Sequence, residues 1–271
     1  MNGNQIPIVH PRTCGVLLIG HGTRDQSGLD EFAQTAEFVA KLLPDVQVES
    51  AFLELATPDI ATGIERLVAW GVRRIVVSPV LLFAAGHAKR DIPGALQVAS
   101  AKFPEVVFSH TEPLGCHAKL LQLSEQRFRE TISSDDFTLA STTLLIVGRG
   151  SLDDDATSDM HRYASLLAGR LGVGQYRVAF MAMAQPSLPT VLDDIVCAAN
   201  GPILVQPHLL FQGDLLRSLQ EQVHRIARQQ KNRQWRLVGH LGPAVPVAEI
   251  LAELAARQLA CRSLDKGSML D

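Results

Sequence analysis

One segment of this sequence occurs twice. VLLIGHGTRD, which begins at Val16, returns as LLIVGRGSLD, which begins at Leu144, so Gly20 and Gly148 are equivalent at an offset of 128 positions. The same offset relates PVLLF, which begins at Pro79, to PHLLF in the second half of the chain. A repeat that keeps one offset across several motifs predicts a duplicated domain, in which both copies fold as the same unit.

Each copy alternates short β-branched segments with amphipathic segments of helical length. In the first copy, the predicted strands span residues 15–19, 46–52, 75–82 and 106–109. The predicted helices span residues 29–43, 60–70, 92–103 and 118–132. The second copy repeats the alternation, with predicted strands near residues 144–147, 177–183, 203–209 and 235–238.

Strands that alternate with helices are typical of parallel sheets covered by helices on both faces. The predicted fold class is therefore α/β, with two tandem domains that each contain about four parallel strands flanked by helices. The polar stretch SSDDFTLAS over residues 133–141 predicts the linker between them. We place the boundary at residue 138, which gives domains 1–138 and 139–271.

Composition restricts the class of partner. A net charge of −3, without a cluster of Lys and Arg, gives no electrostatic footprint for nucleic acid. The four cysteines have neither the spacing of a zinc site nor that of a disulfide framework. No apolar run approaches the ~20 residues of a membrane span, and no secretion signal is visible. We therefore expect a cytoplasmic protein that binds a small molecule.

Three polar residues of the first copy follow predicted strands, where open parallel sheets bind their ligands. These residues are His21, Glu54 and His87. Their equivalents in the second copy are Arg149, Ala182 and Leu215. Packing residues are kept in both copies, as Phe83 and Phe211 are. The joint loss of three functional groups predicts a site that only the first copy retains.

Two imidazoles and one carboxylate suit a borderline divalent metal such as Fe, Co, Ni or Zn. A structural zinc site has four ligands, so three ligands leave coordination positions open. The same side chains accept protons. Both properties fit the insertion of a metal into a macrocycle, because two pyrrole N–H groups lose their protons as the metal exchanges its ligands.

The segments LLIGHGTRD, AFLELATP and VSPVLLFAAGHAKRDIP resemble the sirohydrochlorin chelatases of the class II chelatase superfamily. The first half resembles them closely and the second half as a diverged repeat. The resemblance implies two chelatase-like domains that face each other across a cleft. It also implies ATP-independent insertion of Fe2+ or Co2+ into sirohydrochlorin, with no organic cofactor. Short members build the cleft as homodimers, so this fused form is able to act as a monomer.

By the same resemblance, the family's two metal-binding histidines correspond to His21 and His87, and its glutamate corresponds to Glu54. All three are predicted catalytic residues. The substrate is a polycarboxylate, for which arginine is suited by its two parallel donors. The predicted substrate-binding residues are Arg24, Lys89 and Arg90 in the first half and Arg149 and His208 in the second.

Two alternative functions require residues that this sequence lacks. A dinucleotide-binding loop would have a third glycine where Asp25 and Asp153 stand, and a histidine phosphatase would have arginine in place of Gly20. A metal or tetrapyrrole carrier on the same fold stays open, as does a chelatase for nickel or another tetrapyrrole. The tail CRSLDKGSMLD lacks the histidine-rich or cysteine motif of some cobalt enzymes, which favours iron slightly.

Overall fold

Two parallel sheets, one from each copy of the repeat, form the framework of this computed structural model, which describes residues 13–132, 138–198 and 201–261. The first sheet has the spatial order β2-β1-β3-β4, and the second has the equivalent order β6-β5-β7-β8. The strands are β1 (Cys14–Gly20), β2 (Gln47–Phe52), β3 (Arg74–Pro79), β4 (Val107–His110), β5 (Thr143–Gly148), β6 (Gln175–Phe180), β7 (Ile203–Pro207) and β8 (Trp235–Leu237).

The register of the strands repeats along with their order. Gly15 of β1 pairs with Ile75 of β3, and the equivalent residues Thr143 and Ile203 pair in the second sheet. The predicted duplication and the predicted α/β class with two parallel sheets are therefore confirmed. The strands predicted over 75–82, 177–183 and 203–209 end earlier, at Pro79, Phe180 and Pro207. Proline lacks a backbone N–H, so Pro79 and Pro207 cannot donate to a neighbouring strand. The next residues, Val80 and His208, each make one further bond, to the Ile19 and Val147 carbonyls.

Helices cover both faces of each sheet. They are α1 (Gln26–Leu42), α2 (Ile60–Ala69), α3 (Ile92–Lys102), α4 (Ala118–Ile132), α5 (Asp154–Leu171), α6 (Leu188–Ala198), α7 (Asp214–Gln229) and α8 (Val245–Cys261). Asp25 and Asp153 occupy equivalent N-cap positions, where their carboxylates accept backbone N–H groups of α1 and α5. None of the helices in the described ranges has both the length and the apolarity of a membrane-spanning segment.

The central strands β1 and β5 are buried on both faces. Leu17 and Ile19 pack into a core that belongs to the first half, while Val16 and Leu18 face a core shared with Leu144 and Ile146 of the second half. This alternation follows from the two-residue period of a strand. The continuous apolar run in each strand is typical of a parallel sheet covered on both sides.

Each half contributes one helix to the other half. α8 follows the second sheet but packs against α1 and β3 of the first half, and α4 packs against α5. The buried Tyr163 hydroxyl of α5 donates to the Leu120 carbonyl of α4 at 3.0 Å and lies 2.6 Å from Ser124 Oγ. The halves are therefore interlocked, with their strand ends held against each other.

Candidate active site

The carboxyl ends of β1 and β3 face those of β5 and β7 across a cavity of about 460 Å³, which we call the cleft. The turn after β1 and the segment after β3 line one side, and their equivalents in the second half line the other. The aromatic lining residues are Phe32, Phe52, Phe83, Phe180, Phe211 and His208. Apolar walls with a few polar groups are typical of small-molecule sites.

The turn after β1 has a backbone that only glycine satisfies at Gly22. Its φ is +95°, and a Cβ atom there would lie 1.7 Å from the Glu54 carbonyl oxygen. Gly150 is equivalent, with φ +94° and the Ala182 oxygen at 1.8 Å. Both copies therefore keep the second glycine of G-x-G for a steric reason, and the residue between the glycines is free to differ.

This turn brings His21 and Glu54 together. The Glu54 N–H donates to the His21 carbonyl at 3.1 Å, and His21 Nε2 lies 3.4 Å from Glu54 Oε1. Arg149 approaches from the second half, with Nη1 2.8 Å from the same Nε2. A guanidinium carries donors only, so Nε2 accepts this hydrogen bond. The residue that replaces histidine in the second copy thus contacts the histidine that remains.

His208 lies in the cleft wall contributed by the second half. It is 3% exposed and stacks on Phe83, with ring centroids 5.1 Å apart. Neither ring nitrogen has a hydrogen-bond partner among the described residues. Burial lowers the pKa of His208 to about 3, so the ring is neutral at neutral pH. The equivalent residue of the first half is Val80, which also lines the cleft.

The sequence profile of the CbiX family matches residues 15–131 and again residues 143–258. The chain belongs to the CbiX family. The two matches correspond to the two sheets and their helices. The predicted relationship to the sirohydrochlorin chelatases is therefore confirmed, including the two-domain form.

CbiX-family relatives and solved structures cover most of this chain. A sirohydrochlorin cobaltochelatase of Priestia megaterium is 31% identical over 90% of this chain and 79% of its own length. A sirohydrochlorin ferrochelatase of the same organism is 31% identical over 88% of this chain and 87% of its own. The structure of SirB from Bacillus subtilis with Fe3+ has a TM-score of 0.82 at 25% identity, over 93% of this chain and 97% of that one.

His87 lies at the start of a π-helical turn, His87–Asp91, that leads into α3. The side chain of His87 is outside the described part of the structure, so its predicted pairing with His21 stays a prediction. Among the described side chains, no three metal-ligating residues converge. His21 and Glu54 are the members of the predicted set whose side chains are described, and they offer one nitrogen and one oxygen.

The predicted substrate-binding cations have different surroundings. All three arginines are exposed, but only Arg149 lines the cleft, whereas Arg24 and Arg90 lie outside its lining. Lys89 Nζ lies 2.8 Å from Asp153 Oδ1 and 2.7 Å from Asp155 Oδ2 in the second half. Hydrogen bonds from Lys89 lower the pKa of the Asp153 carboxyl. In this structure Lys89 therefore joins the two halves.

A second ion pair also joins the two halves, but here the cation belongs to the second half and the carboxylate to the first. Arg217 of α7 hydrogen-bonds Asp25, the N-cap of α1. Arg217 is the equivalent of Lys89, and Asp25 is the equivalent of Asp153, at the offset of 128 seen between His21 and Arg149. These pairs were not predicted from the sequence. The repeat does carry a signal for them, because equivalent positions keep their charge in both copies.

Glu31 provides a further contact between the halves that the sequence did not indicate. Its carboxylate accepts the Gln212 backbone N–H at 2.6 Å and lies 3.1 Å from His240 Nε2. Glu31 belongs to α1, whereas Gln212 and His240 belong to the second half. The contacts of Glu31 and the ion pair of Asp25 with Arg217 therefore both join the two halves at one edge of the cleft.

Proposed function

We propose that this protein is a sirohydrochlorin chelatase that inserts Fe2+ or Co2+ into its tetrapyrrole substrate without ATP or an organic cofactor. The observation that carries the proposal is the 3.4 Å approach of His21 Nε2 to Glu54 Oε1 at an apolar cleft. An imidazole nitrogen and a carboxylate oxygen at this spacing suit a single divalent ion. The two Priestia megaterium relatives, named for cobalt and for iron insertion, support the substrate and the choice of metals.

The reaction exchanges one divalent ion for two protons. The metal leaves its protein and water ligands, binds the pyrrole nitrogens, and the two displaced N–H protons pass to bases or to solvent. In the proposed mechanism, His21 and His87 bind the incoming ion. Glu54 attracts the cation and accepts a proton, as carboxylates and imidazoles do in general acid–base catalysis.

The second half supplies a substrate wall in this proposal. The aromatic side chains of the cleft pack against the faces of the macrocycle, and Arg149 binds one of its peripheral carboxylates. His208 contacts the macrocycle from the same wall, and Arg24, Lys89 and Arg90 are further predicted contacts at the rim. Because one chain provides both walls, a monomer is sufficient for activity.

We propose the cytoplasm as the site of this reaction. The described cysteines Cys14, Cys116 and Cys197 are free thiols, as is usual in a reducing compartment. A reducing environment also suits a reaction whose metal substrate, Fe2+, is readily oxidised.

The test is anaerobic incubation of the purified protein with sirohydrochlorin and one of Fe2+, Co2+ or Ni2+, followed by absorption spectroscopy. We expect turnover above the uncatalysed rate, and a rate at least about 100-fold lower for His21→Ala, His87→Ala and Glu54→Gln. Lys119→Met is the control, because Lys119 bridges Glu249 and Glu253 away from the cleft.

Two outcomes would contradict the proposal. Binding of metal or tetrapyrrole at fixed stoichiometry, without product above background, would identify a carrier on the same fold. Turnover with Ni2+ alone, or with another tetrapyrrole alone, would keep the reaction class and change the substrate.

A further inference from the structure

Arg149 hydrogen-bonds Nε2 of His21, the ring nitrogen that a metal would use as its ligand. We propose that Arg149 keeps the divalent ion off His21 until a tetrapyrrole carboxylate draws the guanidinium away, so that the tetrapyrrole binds before the metal. This inference rests on the proposed chelatase function. Arg149, which stands in place of histidine in the second copy, thereby regulates metal binding at His21 in the first copy.

The geometry defines the competition. His21 Nε2 is the ring nitrogen that lies 3.4 Å from Glu54 Oε1, so an ion shared by these two residues binds at the lone pair of Nε2. Arg149 Nη1 lies 2.8 Å from the same Nε2 and donates into that lone pair. Coordination therefore requires the hydrogen bond to break. The guanidinium also brings a permanent positive charge to the place where a second cation would bind.

The substrate supplies a better partner for Arg149 than His21 does. A carboxylate accepts two parallel hydrogen bonds from a guanidinium, and such charge-assisted pairs are stronger than a single bond to a neutral ring. Arg149 lines the cleft and is exposed, so its side chain is able to turn without disturbing the core. Peripheral carboxylates of the tetrapyrrole are the groups that would draw it away.

Thermodynamic linkage makes the effect reciprocal. If the tetrapyrrole removes Arg149 from His21, it raises the affinity of the protein for metal, and bound metal raises the affinity for tetrapyrrole by the same factor. Without Arg149, this source of coupling between the two substrates is lost. The Co2+ affinity of the free protein and the order in which the two substrates bind are therefore the quantities to measure.

The first experiment titrates Co2+ into the protein without tetrapyrrole and follows the visible absorption of bound Co2+. We expect Arg149→Met to bind Co2+ about ten-fold more tightly than the unchanged protein, within the usual range of allosteric couplings. Arg217→Met is the matched control, because Arg217 is also a cationic residue of the second half but contacts Asp25 instead of His21. Equal Co2+ affinities in Arg149→Met and the unchanged protein would overturn the inference.

The second experiment varies the order of mixing in a stopped-flow measurement of insertion. The unchanged protein preincubated with sirohydrochlorin should react faster with added Co2+ than protein preincubated with Co2+ reacts with added sirohydrochlorin. In Arg149→Met the two orders should converge, while the KM for sirohydrochlorin rises. An order effect that persists in Arg149→Met would contradict the role of this side chain. Turnover by the unchanged protein tests the chelatase function separately.

Discussion

His208 reduces the stability of this fold. Its imidazole is buried, and neither nitrogen has a partner among the described residues, although Val80 fills the equivalent position without that cost. An unpaired buried polar group destabilises a protein by about 1–3 kcal/mol. A proposed contact with the substrate accounts for this cost, because residues at binding sites often reduce stability.

We expect His208→Val to stabilise the free protein by about 1–3 kcal/mol at pH 7 and to raise the KM for sirohydrochlorin. Valine is smaller than histidine, and Val80 shows that the fold accepts it at the equivalent position. Urea unfolding and steady-state kinetics measure the two effects. A destabilised variant with an unchanged KM would contradict both expectations.

The pH dependence of stability provides a second measure of His208. Burial lowers its pKa from 6.5 to about 3, so between these values the unfolded chain binds a proton that the folded chain does not. The contribution of the neutral ring to the free energy of unfolding is therefore complete above the ordinary pKa. It is lost as the pH falls toward the pKa in the folded state. We expect the slope of unfolding free energy against pH between pH 6.5 and 4.5 to decrease in His208→Val, with His224→Ala, an exposed histidine, as control.

Individual site residues were predictable where the two copies of the repeat differ. His21 and Glu54 stood out because their equivalents, Arg149 and Ala182, lack the same groups. The contact of Arg149 with His21 was not predictable, because it depends on how the two copies face each other. A repeat specifies which positions are equivalent, and only the fold shows which equivalent positions meet.

At the scale of elements, Lys89 connects the segment after β3 to the start of α5. Lys89 lies two residues after His87 in the π-helical turn, and Asp153 is the N-cap of α5. Hydrogen bonds from Lys89 lower the pKa of Asp153, so the pair stays ionised at neutral pH. We infer that Lys89 is a positioning residue for the segment that carries His87.

We expect Lys89→Met to lower kcat about ten-fold and to leave the KM for sirohydrochlorin nearly unchanged, because small displacements of a catalytic segment are costly. The double variant Asp153→Asn and Asp155→Asn should have the same effect, since asparagine still caps α5. Combining the changes should add nothing further, as for residues that act through one contact. Additive effects with a raised KM would instead support the predicted contact of Lys89 with the substrate.

The elements themselves were largely predictable. The apolar runs of β1 and β5 and the helical periodicity between strands placed most elements within a few residues. The ends of β3 and β7 were wrong because the apolar run continues past Pro79 and Pro207 into the cleft wall. The exchange of α4 and α8 was not predictable, because an amphipathic pattern shows that a helix buries one face without showing against which sheet.

At the scale of the whole molecule, we expect the two halves to unfold together, because they share one core. Buried residues of α8, among them Val247 and Leu251, belong to the same core cluster as Val16 of β1 and Leu144 of β5. Loss of packing in α8 should therefore weaken both sheets. The cleft depends on this arrangement, because the shared core holds the ends of the two sheets in opposition.

We expect Leu251→Ala to reduce the unfolding free energy of both halves by the same amount, about 2–5 kcal/mol, as for a fully buried leucine. The two tryptophans allow each half to be followed alone, since Trp70 lies in the first half and Trp235 in the second. In the single-tryptophan variants Trp70→Phe and Trp235→Phe, Leu251→Ala should shift the urea transition equally. A shift seen by Trp235 but not by Trp70 would show that the first half folds without α8, which the packing of α8 against α1 and β3 opposes.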